Sequence, residues 1–205
     1  MLNVPLLPHT LEDMSTARTH FREALSLLSN LIEDEAFISS VDSASKVLSS
    51  CLQSGGKILS CGNGGSMSDA MHFAEELSGK FREDRPAYAA IALSSPAHIT
   101  CVANDYGFDK IFSRGVEALG CQGDVLLAIS TSGNSSNVLE AAHAAKSKGM
   151  KVLALTGGDG GELASLSDYE IRIPWDGYSD RIQEMHIKCI HAMIDSIERS
   201  FISFS

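Results

Sequence analysis

Apolar residues change their spacing along this chain. In the first fifty-odd positions they recur at helical intervals. Between Leu11 and Ile32, the residues Phe21, Leu25, Leu28 and Ile32 are separated by four, three and four positions, which places them on one helical face. Thr10 followed by Asp13 offers a cap for its start. A second helix is predicted from about Phe37 to Leu52, ending at the Gly55–Gly56 pair.

Beyond Gly56 the period shortens. Lys57–Cys61 is a brief apolar run that stops at a glycine cluster, and similar runs recur at Tyr88–Leu93, Asp124–Ser130, Lys151–Thr156 and Tyr169–Pro174. Most are followed by Gly, Ser, Asn or Asp and then by a helix-like stretch. Short buried strands alternating with helices predict an α/β fold, a three-layer sandwich with a five-stranded parallel sheet preceded by N-terminal helices. Tyr178–Phe204 reads as a long closing helix with Ile187, Ile190, Ile194 and Ile197 on one side. In such folds ligands bind beyond the carboxyl ends of the strands, so the strand-to-helix turns carry the information.

Composition narrows the function classes. The 205 residues suit one domain. Lys and Arg total 16 against 26 Asp and Glu, a formal charge of -10, which opposes non-specific binding to nucleic acid. An anionic substrate then needs a dedicated neutral or dipolar pocket. The five cysteines are odd in number and widely spaced without a Cys-x-x-Cys pair, which predicts reduced thiols in a cytoplasmic protein rather than a disulfide framework or zinc knuckle. No run approaches the roughly 18 apolar residues of a membrane span. The opening MLNVPLLPHTLEDM lacks the basic and apolar regions of a signal peptide.

Two turns suit an anion. In Cys61-Gly62-Asn63-Gly64-Gly65-Ser66 three glycines permit close backbone approach before a helix N-terminus, and the order matches neither Gly-Lys-Ser/Thr nor Gly-x-Gly-x-x-Gly. It equally fits a tight turn with Ser66 as N-cap. Ser130-Thr131-Ser132-Gly133-Asn134-Ser135-Ser136-Asn137 sets five hydroxyls and a glycine at a predicted helix start. That density favours a phosphate held by hydroxyls, backbone N–H groups and a helix dipole, without Lys or Arg, over plain capping by Ser135 or Ser136. A third turn, with Asn104–Asp105, fits polyol hydroxyls or an ordinary turn pair.

The ionisable candidates lie on two helices. His72 and Glu76 are four apart on the helix after the glycine turn, so they share a face suited to a divalent metal or to an ordinary surface pair. The closing helix carries Gln183, His186 and His191. Gln183 and His191 are eight apart, roughly 12 Å along a helix axis, which is a long reach to one metal.

Taken in order, CGNGGSMSDAMHFAEELSGKF, ISTSGNSSNV, LTGGDGGELA and DRIQEMHIKCIH resemble the phosphoheptose isomerase family of sugar isomerase (SIS) domain proteins, from about Leu11 to Ile202. The resemblance implies a flavodoxin-like SIS domain over 1–205, with 1–54 as a helical arm at an oligomer interface. It implies that Asn63, Gly64, Gly65, Glu76 and Gln183 contact substrate, that Asn104 and Asp105 bind sugar hydroxyls, and that Ser130, Thr131, Ser132 and Ser135 hold the phosphate. Glu76 and His191 become the acid/base pair, with His72, Glu76, Gln183 and His191 at the zinc positions. His186 ranks below His191 as an alternative. The implied protein is a homotetramer with active sites where subunits meet, converting D-sedoheptulose 7-phosphate to D-glycero-D-manno-heptose 7-phosphate for lipopolysaccharide core synthesis.

Two other functions share the pattern in part. A non-catalytic branch of the family, a tetrameric scaffold for the bacterial replication initiator protein, lacks the full acid/base set that His72, Glu76, Gln183 and His191 supply here. A sugar-phosphate sensor needs a fused DNA-binding segment, for which the chain has neither room nor charge.

Overall fold

The computed structural model describes residues 15–202. Two helices come first, α1 (Thr16–Glu33) and α2 (Glu35–Gln53). There follow β1 (Ile58–Gly62), α3 (Gly65–Ser78), β2 (Ala90–Ala92), α4 (Pro96–Tyr106), a 3-10 turn at Phe108–Lys110 and α5 (Ser113–Leu119). The chain continues through β3 (Val125–Ser130), α6 (Ser136–Ser147), β4 (Lys151–Gly157), α7 (Gly161–Leu166), β5 (Tyr169–Ile173) and α8 (Ser179–Ile202).

All five strands are parallel, in the order β2-β1-β3-β4-β5. Every residue of β1 and β3 is buried, as expected for strands covered on both faces. Alternate side chains of β3 serve opposite layers. Val125, Leu127 and Ile129 pack with α2, α3 and α8, while Leu126 and Ala128 pack with α4, α5, α6 and α7. The strand order reverses between β1 and β3, so the crevice beyond Gly62 and Ile129, which are in register, is the expected ligand position.

The local detail adds to these expectations. On α1, Phe21, Leu25 and Ile32 are 78%, 64% and 56% exposed, Leu28 packs partly buried against the core, and Leu27 and Leu31 are buried in it. Helical spacing marks an apolar stripe without saying which neighbour covers it, and α1 carries two. The Thr10–Asp13 cap lies outside the described residues. Within them Ser15 caps α1 by accepting from the Arg18 N–H, and Asp34 caps α2 by accepting from Ala36 and Phe37 N–H. Strand β2 has only three residues, because the Tyr88 N–H is tied to the Leu77 carbonyl at the end of α3. None of the described helices is long and apolar enough to cross a membrane.

Candidate active site

Helices α3 and α8 run side by side in the same sense. Gly65, at the start of α3, faces Gln183 near the start of α8. A Cβ on Gly65 would stand 2.5 Å from Gln183 Oε1, so only glycine leaves this carboxamide its place. Seven residues later His72 meets His191, Nε2 to Nε2 at 2.8 Å. Their rings lie 5.1 Å apart at 70°, and the ring of Phe81 tilts against His191 at 5.7 Å. The long reach between Gln183 and His191 therefore persists within one chain, and the two touch α3 about 10 Å apart along its axis.

Carboxylates surround His72. Glu75 Oε1 is 3.1 Å from its Nδ1, and Glu76 Oε1 is 3.5 Å from its Nε2. A carboxylate thus stands at each ring nitrogen of His72, and the tautomers of the two imidazoles set which Nε2 donates in the His72–His191 pair. Burial, and then the neighbouring His72, pull the pKa of His191 below its ordinary value, with Glu76 opposing. One ligand atom each from His72, Glu75 and Glu76 falls within 4.8 Å of the others. Imidazole nitrogen and carboxylate oxygen are suitable donors for zinc, so His72 and the two glutamates, with His191 alongside, fit a divalent metal. Gln183 stands apart from that group. Glu75 joins it as a residue the candidate set lacks, and its position three residues after His72 is the signal that places it on the same side.

The two turns behave differently from simple caps. Gly64, not Ser66, is the N-cap of α3, and Ser66 is buried within the helix. Ser135 occupies the N-cap position of α6 but makes no capping bond with its side chain. Its hydroxyl lies 3.1 Å from the Ser130 hydroxyl, while the Ser136 hydroxyl donates to Asp109. Gly133 closes the turn at φ +65°, and a Cβ there would meet the Gly160 carbonyl oxygen at 1.9 Å. Thr131 and Ser132 open onto a cavity of about 460 Å³ lined also by Gly158, Asp159, Trp175 and Ser179.

Asn63 and Asn137 join the turns across the β1/β3 crevice. Asn63 Nδ2 donates to Asn137 Oδ1 at 2.8 Å, and Asn137 Nδ2 donates to Asn63 Oδ1 at 2.9 Å. Asn104 and Asp105 lie on α4. They form the exposed last turn of α4 rather than a strand-to-helix turn, with Asn104 Nδ2 donating to Asp105 Oδ1 at 2.7 Å.

Two buried groups flank the site. Asp69 lies on α3 three residues before His72; burial pushes its pKa up to about 6, and its Oδ2 has no partner. His186 is fully buried with Nε2 on the Thr156 carbonyl at 2.9 Å, and burial pulls its pKa down to about 4. It faces the sheet, which explains why His191 rather than His186 meets His72.

Residues 19–157 match the SIS domain family. The chain is 57% identical to the phosphoheptose isomerase of Pectobacterium atrosepticum over 182 residues, 89% of this chain and 94% of that protein. The chain belongs to the phosphoheptose isomerases of the SIS domain family. Solved phosphoheptose isomerases share its fold. The one from Neisseria gonorrhoeae superposes with a TM-score of 0.83 at 43% identity, covering 89% of this chain and 97% of that one. The one from Francisella tularensis gives 0.85 at 40%, covering 91% and 100%. The chain is accordingly an aldose–ketose isomerase of the sugar-phosphate class.

Proposed function

We propose that this enzyme converts D-sedoheptulose 7-phosphate to D-glycero-D-manno-heptose 7-phosphate through a cis-enediol(ate), the first step towards ADP-heptose for the lipopolysaccharide core. The observation that carries the reading is the His72–Glu76–His191 cluster, in a chain whose β3–α6 turn is rich in hydroxyls and free of Lys and Arg. The names of its relatives support the heptose substrate.

The chemistry divides between the two ends of the substrate. Ser130, Thr131, Ser132 and Ser135, with the N-terminus of α6, hold the phosphate and fix the sugar chain. Asn63, Gly64, Gly65 and Gln183 line the path from that turn to the reacting carbons, and Asn104 and Asp105 bind hydroxyls. Glu76 takes a proton from C1 and returns one to C2. His191 donates to the C2 oxygen as the C1–C2 double bond forms, then removes the proton from the C1 hydroxyl as the aldehyde forms. Zinc would be held by His72, Glu76 and His191, with Gln183 joining them where subunits meet, and would polarise the carbonyl and stabilise negative charge on the substrate oxygens.

The assembly is a homotetramer in this reading, a single SIS domain over 1–205 with 1–54 as the arm at its interface. Support comes from Phe21, Leu25 and Ile32, which α1 leaves exposed, and from an apolar groove between α1, α2 and α8 lined by Leu28, Phe37, Val41 and Met185. The unpaired thiols agree with a cytoplasmic enzyme.

The test is direct. Purified, metal-analysed protein is incubated with sedoheptulose 7-phosphate, with and without added zinc, and the products are followed by NMR. An aldoheptose 7-phosphate is expected, formed faster with zinc. A folded, zinc-loaded protein that leaves the ketose unchanged overturns the substrate assignment.

A further inference from the structure

Asn137 stands in the first turn of α6, is 2% exposed and has no route to a ligand of its own. Both ends of its carboxamide are spent on Asn63, as donor and as acceptor. The two residues are 74 positions apart and belong to different turns, the glycine turn after β1 and the hydroxyl turn after β3. Strands β1 and β3 pair directly, with Gly62 opposite Ile129, so this amide pair is a bridge across the crevice where the strand order reverses.

We infer that Asn137 is a positioning residue for catalysis: by clamping the Asn63 carboxamide it fixes the span between the phosphate turn and the reacting carbons. This rests on the reading above, in which Asn63 touches the substrate. A primary amide has two N–H donors and an oxygen with two lone pairs. After the reciprocal pair with Asn137, Asn63 retains one donor and one lone pair, and the direction of each is set by the pair. Without Asn137, the Asn63 side chain turns freely about its terminal torsion, which is broad for an amide. A sugar phosphate that meets a freely turning Asn63 must order that side chain as it binds, a cost that falls mainly on binding.

The consequence is a specific pattern of coupling. Asn137→Ala should raise KM for sedoheptulose 7-phosphate about tenfold, the scale of a lost hydrogen-bond pair, with a smaller effect on kcat. Asn63→Ala should raise it at least as much. The double variant should match Asn63→Ala alone within about twofold, because a residue acting only through Asn63 has nothing left to act on. Affinity for inorganic phosphate should stay unchanged in Asn137→Ala, since the hydroxyls of Ser130 and Ser135 are intact. Melting temperatures are recorded for each variant, and Asn137→Ser takes the place of the alanine variant if that one does not fold.

Multiplying KM effects in the double variant, an unchanged KM in Asn137→Ala, or a parallel fall in phosphate affinity each overturn the positioning role. An unchanged KM in Asn63→Ala is a separate failure. It removes Asn63 from the substrate contacts and takes the inference with it.

Discussion

His72 and His191 are 119 positions apart in the chain, yet their Nε2 atoms lie 2.8 Å from each other. Neither helix carries the chemistry alone. Helix α3 supplies a histidine already flanked by Glu75 and Glu76, and the packing of α8 against it brings the second imidazole to Nε2 of the first. The apolar line of Ile190, Met193, Ile194 and Ile197 buries α8 and so fixes the rotation that aims His191. Replacing His191 with Asn removes the ring while keeping a polar group of modest size. Turnover should fall by about 10² to 10⁴, the usual worth of a positioned acid/base group, with the melting temperature within a few degrees of the parent. Steady-state kinetics and calorimetry check both parts.

Acid sensitivity should come from His186. Its native pKa is near 4, against an ordinary value of 6.5, because burial disfavours the charged ring. The unfolded chain therefore binds the proton more readily between those values. Stability from this group is complete above pH 6.5 and is lost as the pH falls towards 4, by on the order of 3 kcal/mol. Denaturant midpoints across that range should drop steeply. Asn in place of His186, which cannot gain a charge, should flatten the slope while lowering stability at neutral pH through the lost bond to the Thr156 carbonyl.

Gly133 ties the hydroxyl turn to the turn after β4. It adopts φ +65°, its carbonyl accepts from the Leu163 N–H at 2.9 Å, and its Cα faces the Gly160 carbonyl where a methyl group cannot fit. Gly133→Ala must move backbone, since the obstructing atom is not a flexible side-chain end. It should cost several kcal/mol, about 3 or more, and weaken phosphate binding in whatever protein folds. Thermal unfolding and phosphate titration test the two effects.

Much of this was legible in the sequence, for identifiable reasons. All five strands and the closing helix announce themselves through apolar runs and periodicity, and each observed strand overlaps its predicted run. The pairing of His72 with Glu76 follows from helical spacing. What spacing does not convey is which stripe of α1 meets the core, because Phe21, Leu25 and Ile32 read as apolar as Leu27 and Leu31 do. The meeting of His72 with His191, the Asn63–Asn137 bridge and the seat of Gln183 on Gly65 are long-range consequences of helix packing. No local pattern encodes them. An Asn–Asp pair favours a turn, so Asn104 and Asp105 read as one in the sequence, whereas the Pro96 start carries α4 through both.

The central claim is that Glu76 moves the proton between C1 and C2 at a site anchored by the hydroxyl turn. Wild type and Glu76→Gln are incubated with sedoheptulose 7-phosphate in D₂O and followed by NMR, alongside a phosphate-binding titration. Wild type should form the aldoheptose 7-phosphate, with C2 carrying the transferred proton or deuterium taken up by exchange on Glu76, and the variant should form none while binding phosphate as tightly as the parent. Substantial conversion by Glu76→Gln would contradict the account.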